Sequence, residues 1–237
     1  MPAEQKCVPD AGAHGLRDVF ALGDLHGEDE APALVGCAAG GGGMMRVFLA
    51  GGSGVIGVRL IPLLVGASHV VAGMTRSAGK ADALRSLGAE PVVCDVFDPA
   101  SLREAMLAFR PDAVLHQLTD LPDERARIPE LGAANNRMRR EGTANLLAAA
   151  RTAGAHRLIA QSVAWTLPGD AGAAVMDLER QVLSPGGVIL RYGQFYGPGT
   201  YFGSNPPPPP RIRVDEAARR TLAALDAPPG VITIVEE

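Results

Sequence analysis

A glycine-rich turn between a strand pattern and a helix pattern is the feature that most restricts the fold of this chain. In "LAGGSGVIGVRL", residues 49–60, Gly51, Gly54 and Gly57 stand three apart, after the apolar run "RVFLAG" and at the start of a helical pattern over residues 55–65. A turn without side chains lets backbone N–H groups approach a phosphate at the positive end of the helix. The stretch therefore predicts a pyrophosphate site, the alternative being a tight turn without a ligand.

Strand patterns and helix patterns alternate from Met45 onward. The predicted strands are "RVFLAG", "HVVAGM", "PVVCDV", "DAVLHQLT", "RLIAQSVAW", "GVILRYG" and "GVITIV". The predicted helices are residues 55–65, "SAGKADALRSLG", "DPASLREAMLAF", residues 131–153, "AAVMDLERQVL" and residues 215–225. Ser77 and Asp98 are predicted N-caps, and Gly88 a helix stop. This alternation predicts an α/β fold, a Rossmann-like doubly wound parallel sheet with helices on both faces.

Composition narrows the class of protein. A chain of 237 residues with 47% hydrophobic content can bury one substantial core. A net charge of −4 gives no electrostatic case for nucleic acid or an anionic membrane as a partner. Three widely spaced cysteines fit a reduced compartment better than a disulfide scaffold. We therefore expect a cytoplasmic protein without a membrane span.

The first 43 residues lack this periodicity and end in the linker-like run "CAAGGGG". We predict that residues 1–43 are an N-terminal extension, disordered or non-native, ahead of an NAD(P)-binding domain over residues 44–237. One stretch in the extension, "DVFALGDLHG", resembles the first motif of calcineurin-like metallophosphoesterases, with Asp24 and His26 as metal ligands. The later ligand motifs of those enzymes are absent from the printed sequence, and two ligands cannot hold a dinuclear centre. No metal site is predicted.

The end of the second strand bears on the choice of dinucleotide. An NAD site favours Asp or Glu there to accept from the ribose hydroxyls, but no acidic residue occurs between Gly57 and Lys80. The strand ends instead in Thr75 and Arg76, and a guanidinium is suited to pair with a 2′-phosphate. This pattern favours NADP(H), with NAD(H) as the second possibility. The alternative is that Arg76 is a solvated surface side chain.

From Met45 onward the chain resembles the extended or atypical short-chain dehydrogenase/reductases of the NAD-dependent epimerase/dehydratase group. The resemblance is carried, in order, by "FLAGGSGVIGVRL", "CDVFDPASL", "EGTANLLAAARTAGAHRLIAQSVAW", "LRYGQFYGPGT" and "VDEAARRTLAAL". It implies adenine contacts after the third strand, although Asp95 there is alternatively a surface acid. It also implies cofactor contacts after the fourth strand, and nicotinamide contacts from Gln161, Ser162 and the "YGPG" segment. The turn and the resemblance together predict these cofactor-binding residues: Gly51, Gly54, Val55, Ile56, Gly57, Thr75, Arg76, Asp95, Val96, His116, Gln117, Leu118, Gln161 and Tyr196.

The proton-transfer chemistry of that family is the missing part. Its hydride-transferring members use a Tyr-x-x-x-Lys pair, whose spacing puts both side chains on one helix face. In this chain every tyrosine follows the last lysine, Lys80, and the corresponding helix offers Met176 and Arg180 instead. Ser162, at the end of the fifth strand, is the best catalytic candidate, the alternative being a polar strand end. Three other side chains have the chemistry of an acid, but the sequence assigns no activating cation to them: Tyr192, Tyr196 and His116.

The segments expected to bind the substrate are short. Only "TLPGDAGAAV" separates Trp165 from the "DLERQVL" helix, and a polyproline run stands before "RIRVDEAA", where the resemblance implies a longer insertion. We therefore expect a Rossmann-like fold with a truncated substrate-binding part. The predicted function is an atypical NAD(P)-binding, epimerase/dehydratase-like oxidoreductase lacking the Tyr-x-x-x-Lys pair. The alternative is a non-catalytic module that binds or senses NADP(H). The substrate is an unknown small molecule, and a homodimer is possible.

Overall fold

The computed structural model describes residues 43–122 and 124–236, which belong to one compact unit. Except for Gly43, the predicted extension lies outside the described residues, and so do Asp24 and His26. The strands are β1 Arg46–Ala50, β2 Val70–Thr75, β3 Glu90–Val93, β4 Ala113–His116, β5 Arg157–Val163, β6 Val188–Tyr192, β7 Gln194–Tyr196, β8 Arg211–Arg213 and β9 Gly230–Ile234. The helices are α1 Gly57–Gly66, α2 Ala81–Ser86, α3 Pro99–Phe109, α4 Ile128–Arg137, α5 Thr143–Thr152, α6 Gly169–Leu183 and α7 Val214–Ala223.

Seven strands form one parallel sheet in the order β3-β2-β1-β4-β5-β6-β9. The chain runs outward from β1 through β2 and β3, then crosses to β4 on the other side of β1. All seven carboxyl ends lie at one edge, and the crevice at this reversal is where such sheets bind ligands. β7 and β8 form a separate two-stranded parallel sheet. The predicted fold class, a doubly wound parallel sheet, is confirmed.

Alternating side chains of the strands supply the cores on the two faces of the sheet. In β1, Val47 and Leu49 pack with residues of α1 and α7, whereas Phe48 and Ala50 pack with residues of α3 and α5. All four side chains are fully buried. Because both faces are covered, a central parallel strand must be apolar along its whole length, which explains the run "RVFLA".

The predicted helix boundaries are confirmed at one helix and wrong at another. Asp98 caps α3, because its carboxylate accepts from the N–H groups of Ala100 and Ser101, both at 3.2 Å. Ser77 is not the N-cap of α2: a 3₁₀ turn over residues 78–80 intervenes, and the Ser77 side chain makes no capping bond. Its N–H donates to Thr75 Oγ1 at 3.2 Å instead.

The long helix predicted over residues 131–153 exists but is not regular. It begins at Ile128 as α4, passes through a π-turn over Met138–Gly142, and continues as α5. A π-turn places an extra residue in the helix and shifts the register of the side chains that follow, and such turns are frequent at functional sites. The periodicity of the sequence does not show this insertion.

Candidate functional site

Two glycines in the turn after β1 lie so close to backbone atoms that a Cβ would clash with them. Gly51 has a φ of 95°, and a Cβ there would lie 2.7 Å from the Gln117 carbonyl oxygen. A Cβ on Gly57 would lie 2.2 Å from the Gly51 carbonyl oxygen. Backbone atoms cannot move aside for a methyl group without distorting the turn, so packing alone requires glycine at both positions.

Gly54 is different, because packing restricts it less. It is exposed, and a Cβ there would meet a single atom within 4 Å, the Gly51 carbonyl oxygen at 3.2 Å. The N–H groups of the next residues, Val55 and Ile56, have no acceptor within the described part of the chain and stand at the positive end of α1. The turn thus provides open space and free donors, which fits the pyrophosphate of a dinucleotide.

Thr75 and Arg76 lie where β2 ends, beside the glycine-rich turn. Thr75 is buried, with its Oγ1 atom 2.9 Å from Ser53 Oγ in that turn. Arg76 donates from Nη2 to Asp120 Oδ1 at 2.8 Å, and 58% of its side chain is exposed. Sequence reasoning missed Asp120, which lies after β4 and is distant in sequence from the strand that it meets. The guanidinium predicted to bind a 2′-phosphate therefore already has a carboxylate partner.

Asp95 and Val96 follow β3, where the resemblance implies adenine contacts. Asp95 is exposed, and its carboxylate accepts from the Phe97 N–H at 2.9 Å. Val96 is buried in the core, and its carbonyl accepts from the Asn145 side chain at 3.0 Å. The Asp95 carboxylate is thus open to solvent, whereas the side chain of Val96 belongs to the core.

His116 is a buried, neutral histidine. Its Nδ1 accepts from the Leu118 N–H at 3.2 Å, and its Nε2 lies 3.0 Å from Thr143 Oγ1. With Nδ1 accepting, the neutral ring carries its proton on Nε2 and donates to Thr143. Burial lowers the pKa of His116 to about 4. The ring is therefore committed to internal hydrogen bonds and does not supply an acid near neutral pH.

Gln117 and Tyr192 form the next polar group along this edge of the sheet. Gln117 donates from Nε2 to the Tyr192 hydroxyl at 3.3 Å, and that hydroxyl lies 2.5 Å from Thr221 Oγ1. The other amide atom, Gln117 Oε1, is buried and has no partner in the described residues. Burial raises the pKa of Tyr192 well above its ordinary value. Tyr192 is therefore a poor proton donor, and Gln117 presents an unused acceptor beside the site.

Ser162 belongs to a buried polar group that links β5, β6 and α6. Its Oγ donates to Glu179 Oε1 at 2.6 Å. Arg191 donates to both carboxylate oxygens of Glu179, from Nε at 2.9 Å and from Nη2 at 2.6 Å. Burial alone would raise the pKa of Glu179, but the bonds from Arg191 and Ser162 outweigh it and hold the pKa below its usual range. Glu179 is thus ionised, and its carboxylate accepts the hydrogen bond that the Ser162 hydroxyl donates.

Tyr196 lies outside this arrangement. Its hydroxyl donates to the Glu236 carboxylate, and this bond raises the pKa of Tyr196. Glu236 also accepts from Arg211 Nε at 3.1 Å. The contacts tie β7 and β8 to the segment after β9. Tyr196 therefore serves the packing of the small sheet rather than being an activated phenol.

A cavity of about 850 Å³ opens at the crevice. Its walls bring together seven of the predicted residues: Gly54, Val55, Ile56, Gln117, Leu118, Gln161 and Ser162. Gln161 is held on its wall by donating from Nε2 to the Leu118 carbonyl at 2.7 Å. The remaining predicted residues do not line the cavity: Gly51, Gly57, Thr75, Arg76, Asp95, Val96, His116 and Tyr196.

Glu179 and Arg191 are functional candidates that sequence reasoning missed. Glu179 stands in the charged run "MDLERQ", which is typical of a solvated helix face, yet it is only 8% exposed. A signal was present in "GVILRYG", because a single arginine inside an otherwise apolar strand needs an anionic partner. The sequence did not indicate which carboxylate that was.

A glycine turn with free N–H groups at the reversal of a parallel sheet defines a dinucleotide-binding Rossmann domain. The model of the NAD(P)H-binding family matches residues 51–184. The chain belongs to this NAD(P)H-binding family, which confirms the predicted NAD(P)-binding class. A nicotinamide dinucleotide is accordingly its cofactor class.

Two curated relatives are reductases. The chain is 41% identical over 180 residues to a 3-diazoavenalumate denitrifying reductase of a Streptomyces species, covering 66% of this chain and 58% of the relative. It is 34% identical over 115 residues to a 4-hydroxy-2-methyl-3-oxo-4-farnesyl-3,4-dihydroquinoline-1-oxide ketoreductase of Stigmatella aurantiaca, covering 48% of this chain and 32% of the relative. The chain thus matches 58% and 32% of the length of these relatives.

The fold is shared with solved epimerases. The structure of UDP-glucose 4-epimerase from Thermus thermophilus in complex with NAD superposes with a TM-score of 0.65 at 20% identity, covering 81% of this chain and 78% of that one. This likeness concerns the fold. None of the helices in the described ranges is long and apolar enough to cross a membrane.

Proposed function

We propose that this chain is an NADP(H)-dependent reductase of unusual catalytic type. The observation that carries the proposal is the shared cavity: the phosphate-binding turn and the polar pair at the end of β5, Gln161 and Ser162, line the same walls. The nicotinamide supplies a hydride when bound. The residues of the chain bind the pyrophosphate, exclude water with an apolar wall and orient the acceptor of the hydride beside Ser162.

The preference for NADP(H) rests on Arg76. The guanidinium is half-exposed at the end of β2, with Asp120 as its partner. A 2′-phosphate carries more charge than a carboxylate and is a strong bidentate acceptor, so it would compete for Arg76. The second possibility is NAD(H). In that case Arg76 stays paired with Asp120, and Asp95 accepts a hydrogen bond from the adenine.

The absence of a Tyr-x-x-x-Lys pair in the chain restricts the reaction. Met176 of α6 is 66% exposed, and neither Tyr192 on the cavity wall nor Tyr196 outside it is activated. A substrate that accepts a hydride without taking a proton from the enzyme avoids this difficulty. Reductive loss of nitrogen from a diazonium carbon is such a reaction, because a C–H bond replaces the C–N bond and N₂ leaves with the bonding electron pair. The relative from Streptomyces is named for a diazo substrate of this kind.

Ser162 is the proposed catalytic residue. Because its proton is held by Glu179, the lone pairs of its Oγ are free to accept from a donor on the substrate. Ser162 thus orients the substrate, with the hydride acceptor facing the cofactor.

A non-catalytic module that binds or senses NADP(H) is the second candidate. It is favoured by the internal partners of His116, Tyr192 and Tyr196, which leave none of these three side chains as an activated acid. The two candidates differ in turnover and agree on cofactor binding.

A cytoplasmic location, the domain boundary at residue 44 and a homodimer remain predictions. Sedimentation velocity of the full chain tests for the homodimer.

Titration of NADPH and NADH by nicotinamide fluorescence tests the cofactor. We expect NADPH to bind about tenfold more tightly, and Arg76→Ala to remove that difference. Tighter NADH binding would contradict the role of Arg76. NADPH oxidation with an aryl diazonium probe that carries a hydroxyl donor, corrected for the reaction without protein, tests catalysis. Loss of turnover in Ser162→Ala with unchanged NADPH affinity is expected. If the wild-type chain binds NADPH but adds nothing to the background rate for this probe, the proposed nitrogen-removing reaction is wrong.

A further inference from the structure

The charged side chains on the cavity walls are all of one sign in the described part of the chain. The described lining residues include two arginines, Arg125 and Arg139, and neither an aspartate nor a glutamate. Most of the remaining wall is apolar or aromatic, including Leu121, Ile128 and Trp165. An apolar cavity with cations and no anions selects a ligand with complementary negative charge.

Arg139 differs from its two arginine neighbours in that no carboxylate of the described residues pairs with it. Arg137 pairs with Glu141 at 2.6 Å, and Arg140 pairs with Asp170 at 2.6 Å and with Asp177 at 2.9 Å. Arg139 forms no ion pair within residues 43–122 and 124–236. Its one hydrogen bond in that range goes from Nη1 to Asn136 Oδ1 at 3.2 Å.

Arg139 points into the cavity because of its position on the helix. Ile128, Gly132, Asn135 and Asn136 of α4 line the same wall, at spacings that place them on one helix face. Arg139 follows three residues after Asn136, inside the π-turn, and continues this face. Arg137 and Arg140 fall on other faces and meet the carboxylates described above.

The environment of Arg139 is unfavourable for a cation without a partner. Burial lowers the pKa of its guanidinium, and no carboxylate contact opposes this effect. A guanidinium removed from water costs free energy unless an anion accepts its hydrogen bonds. A ligand anion would supply the missing acceptors, in the bidentate geometry that guanidinium groups favour with carboxylates.

The phosphates of the dinucleotide are not the best partner for Arg139. They are expected at the turn before α1, whereas Arg139 stands on the wall formed by α4 and α6, where Asn136 donates to Asp170 at 2.9 Å. Arg125 lies over the Phe202 ring, 4.9 Å from its centroid, and is exposed, so it adds positive charge without occupying Arg139.

We propose that this cavity takes a substrate with a carboxylate on an aromatic or similarly apolar body, and that Arg139 binds the carboxylate. The proposal names the substrate class of the reductase proposed above and rests on that function for the reaction. The binding preference itself does not depend on turnover.

Trp165 makes the test direct, because it is the single tryptophan of the chain and lines the cavity. We would titrate the full chain with 3-phenylpropanoate and with its neutral analogue 3-phenylpropanamide, following Trp165 fluorescence. Wild type is expected to bind the acid about tenfold more tightly than the amide. Arg139→Gln should abolish the difference, and Arg139→Lys should retain part of it. Arg103→Gln, an exposed position of α3, is the matched control and should change nothing.

Several outcomes would overturn the proposal. They are equal affinity for acid and amide in the wild type, no binding of the acid, or a preference for the acid that survives Arg139→Gln. NADPH affinity is measured on the same variants. A parallel loss of NADPH affinity in Arg139→Gln would assign the guanidinium to the cofactor and also overturn the proposal. Failure of the wild type to bind NADPH would instead contradict the proposed reductase, while leaving the preference for the acid measurable.

Discussion

The two sides of the crevice are built from different kinds of atoms. On the side of the glycine-rich turn, here the dinucleotide side, the available groups are backbone N–H donors at Val55 and Ile56. On the side formed by α4, α6 and the end of β5, here the substrate side, the available groups are side chains such as Ser162 and Arg139. Backbone donors are fixed by the path of the chain, whereas each side chain depends on partners from several elements. The first side is therefore generic to a family, and the second can change its chemistry by substitution.

The substitution expected to disrupt the dinucleotide side most strongly is one that places a methyl group inside the glycine-rich turn. Gly57→Ala is expected to destabilise the chain by about 3 kcal/mol or more, since its Cβ would lie 2.2 Å from a backbone oxygen. Gly54→Ala is the matched variant, because its Cβ meets one atom at 3.2 Å. It should destabilise the chain much less than Gly57→Ala and weaken NADPH binding about tenfold. Wild-type NADPH affinity in a folded Gly54→Ala variant would show that the open space is not used.

The strand-turn-helix unit of the dinucleotide side is also the part of the fold that sequence alone predicted well. Its glycines, the strand before them and the helix after them are adjacent in the chain, so a short window contains the whole unit. Asp98 as a cap was predictable for the same reason, since it acts on residues two and three positions away. Ser77 shows where prediction from a short window fails. The pattern predicted that Ser77 caps α2, but a 3₁₀ turn follows Ser77, and α2 begins only at Ala81.

A second test concerns His116, which lies near the crevice but does not line the cavity. Its pKa of about 4 lies below its ordinary value of 6.5, so between these values the unfolded chain binds a proton that the folded chain does not. Stability should therefore fall as the pH is lowered from 6.5 to 4, by up to about 3 kcal/mol. His116→Gln should flatten this part of the curve, measured by urea unfolding. The control His156→Gln, at an exposed position, should keep the wild-type slope. An identical slope in His116→Gln would contradict a buried neutral ring.

The substrate side resisted prediction for a physical reason. Glu179 and Ser162 are 17 residues apart, and Arg191 comes from a third element, so only the folded sheet brings the three together. Arg139 could not be recognised either, because "RMRRE" shows three arginines without indicating which one faces inward. The π-turn sets that direction, and a helical pattern does not reveal it.

Glu179 offers the third test, on the substrate side. Removing its charge with Glu179→Gln leaves Arg191 without its carboxylate and is expected to cost about 2 kcal/mol, reduced by the partial exposure of Arg191. The pKa of Glu179 lies below its usual range, so its contribution is present above the unfolded-state pKa and is lost as the pH falls through the folded-state value. The variant should lose that acid sensitivity. NADPH affinity should stay at the wild-type value, and a large loss would show that the two sides are not separable.

The smallest expected effect comes from a residue that ties the glycine-rich turn to the "YGPG" segment and to α7. Arg59 of α1 donates to the Val55 carbonyl in the glycine-rich turn at 2.6 Å, to the Pro198 carbonyl at 2.6 Å and to Asp215 of α7 at 2.7 Å. Arg59→Met removes all three bonds but keeps much of the apolar stem, so a loss of about 1 kcal/mol is expected, with a few-fold weaker NADPH binding because the turn loses a support.

Arg213→Met separates the ion pair from the turn contacts. Arg213 also pairs with Asp215, at 3.2 Å, but no contact to the glycine-rich turn is made from its side chain in the described structure. It should therefore change stability by less than about 0.5 kcal/mol and leave NADPH affinity unaltered. If both variants weaken NADPH equally, the effect of Arg59 is electrostatic and passes through Asp215. If only Arg59→Met does, the backbone contacts carry it, and the position of the turn depends on the "YGPG" segment as well as on its own glycines.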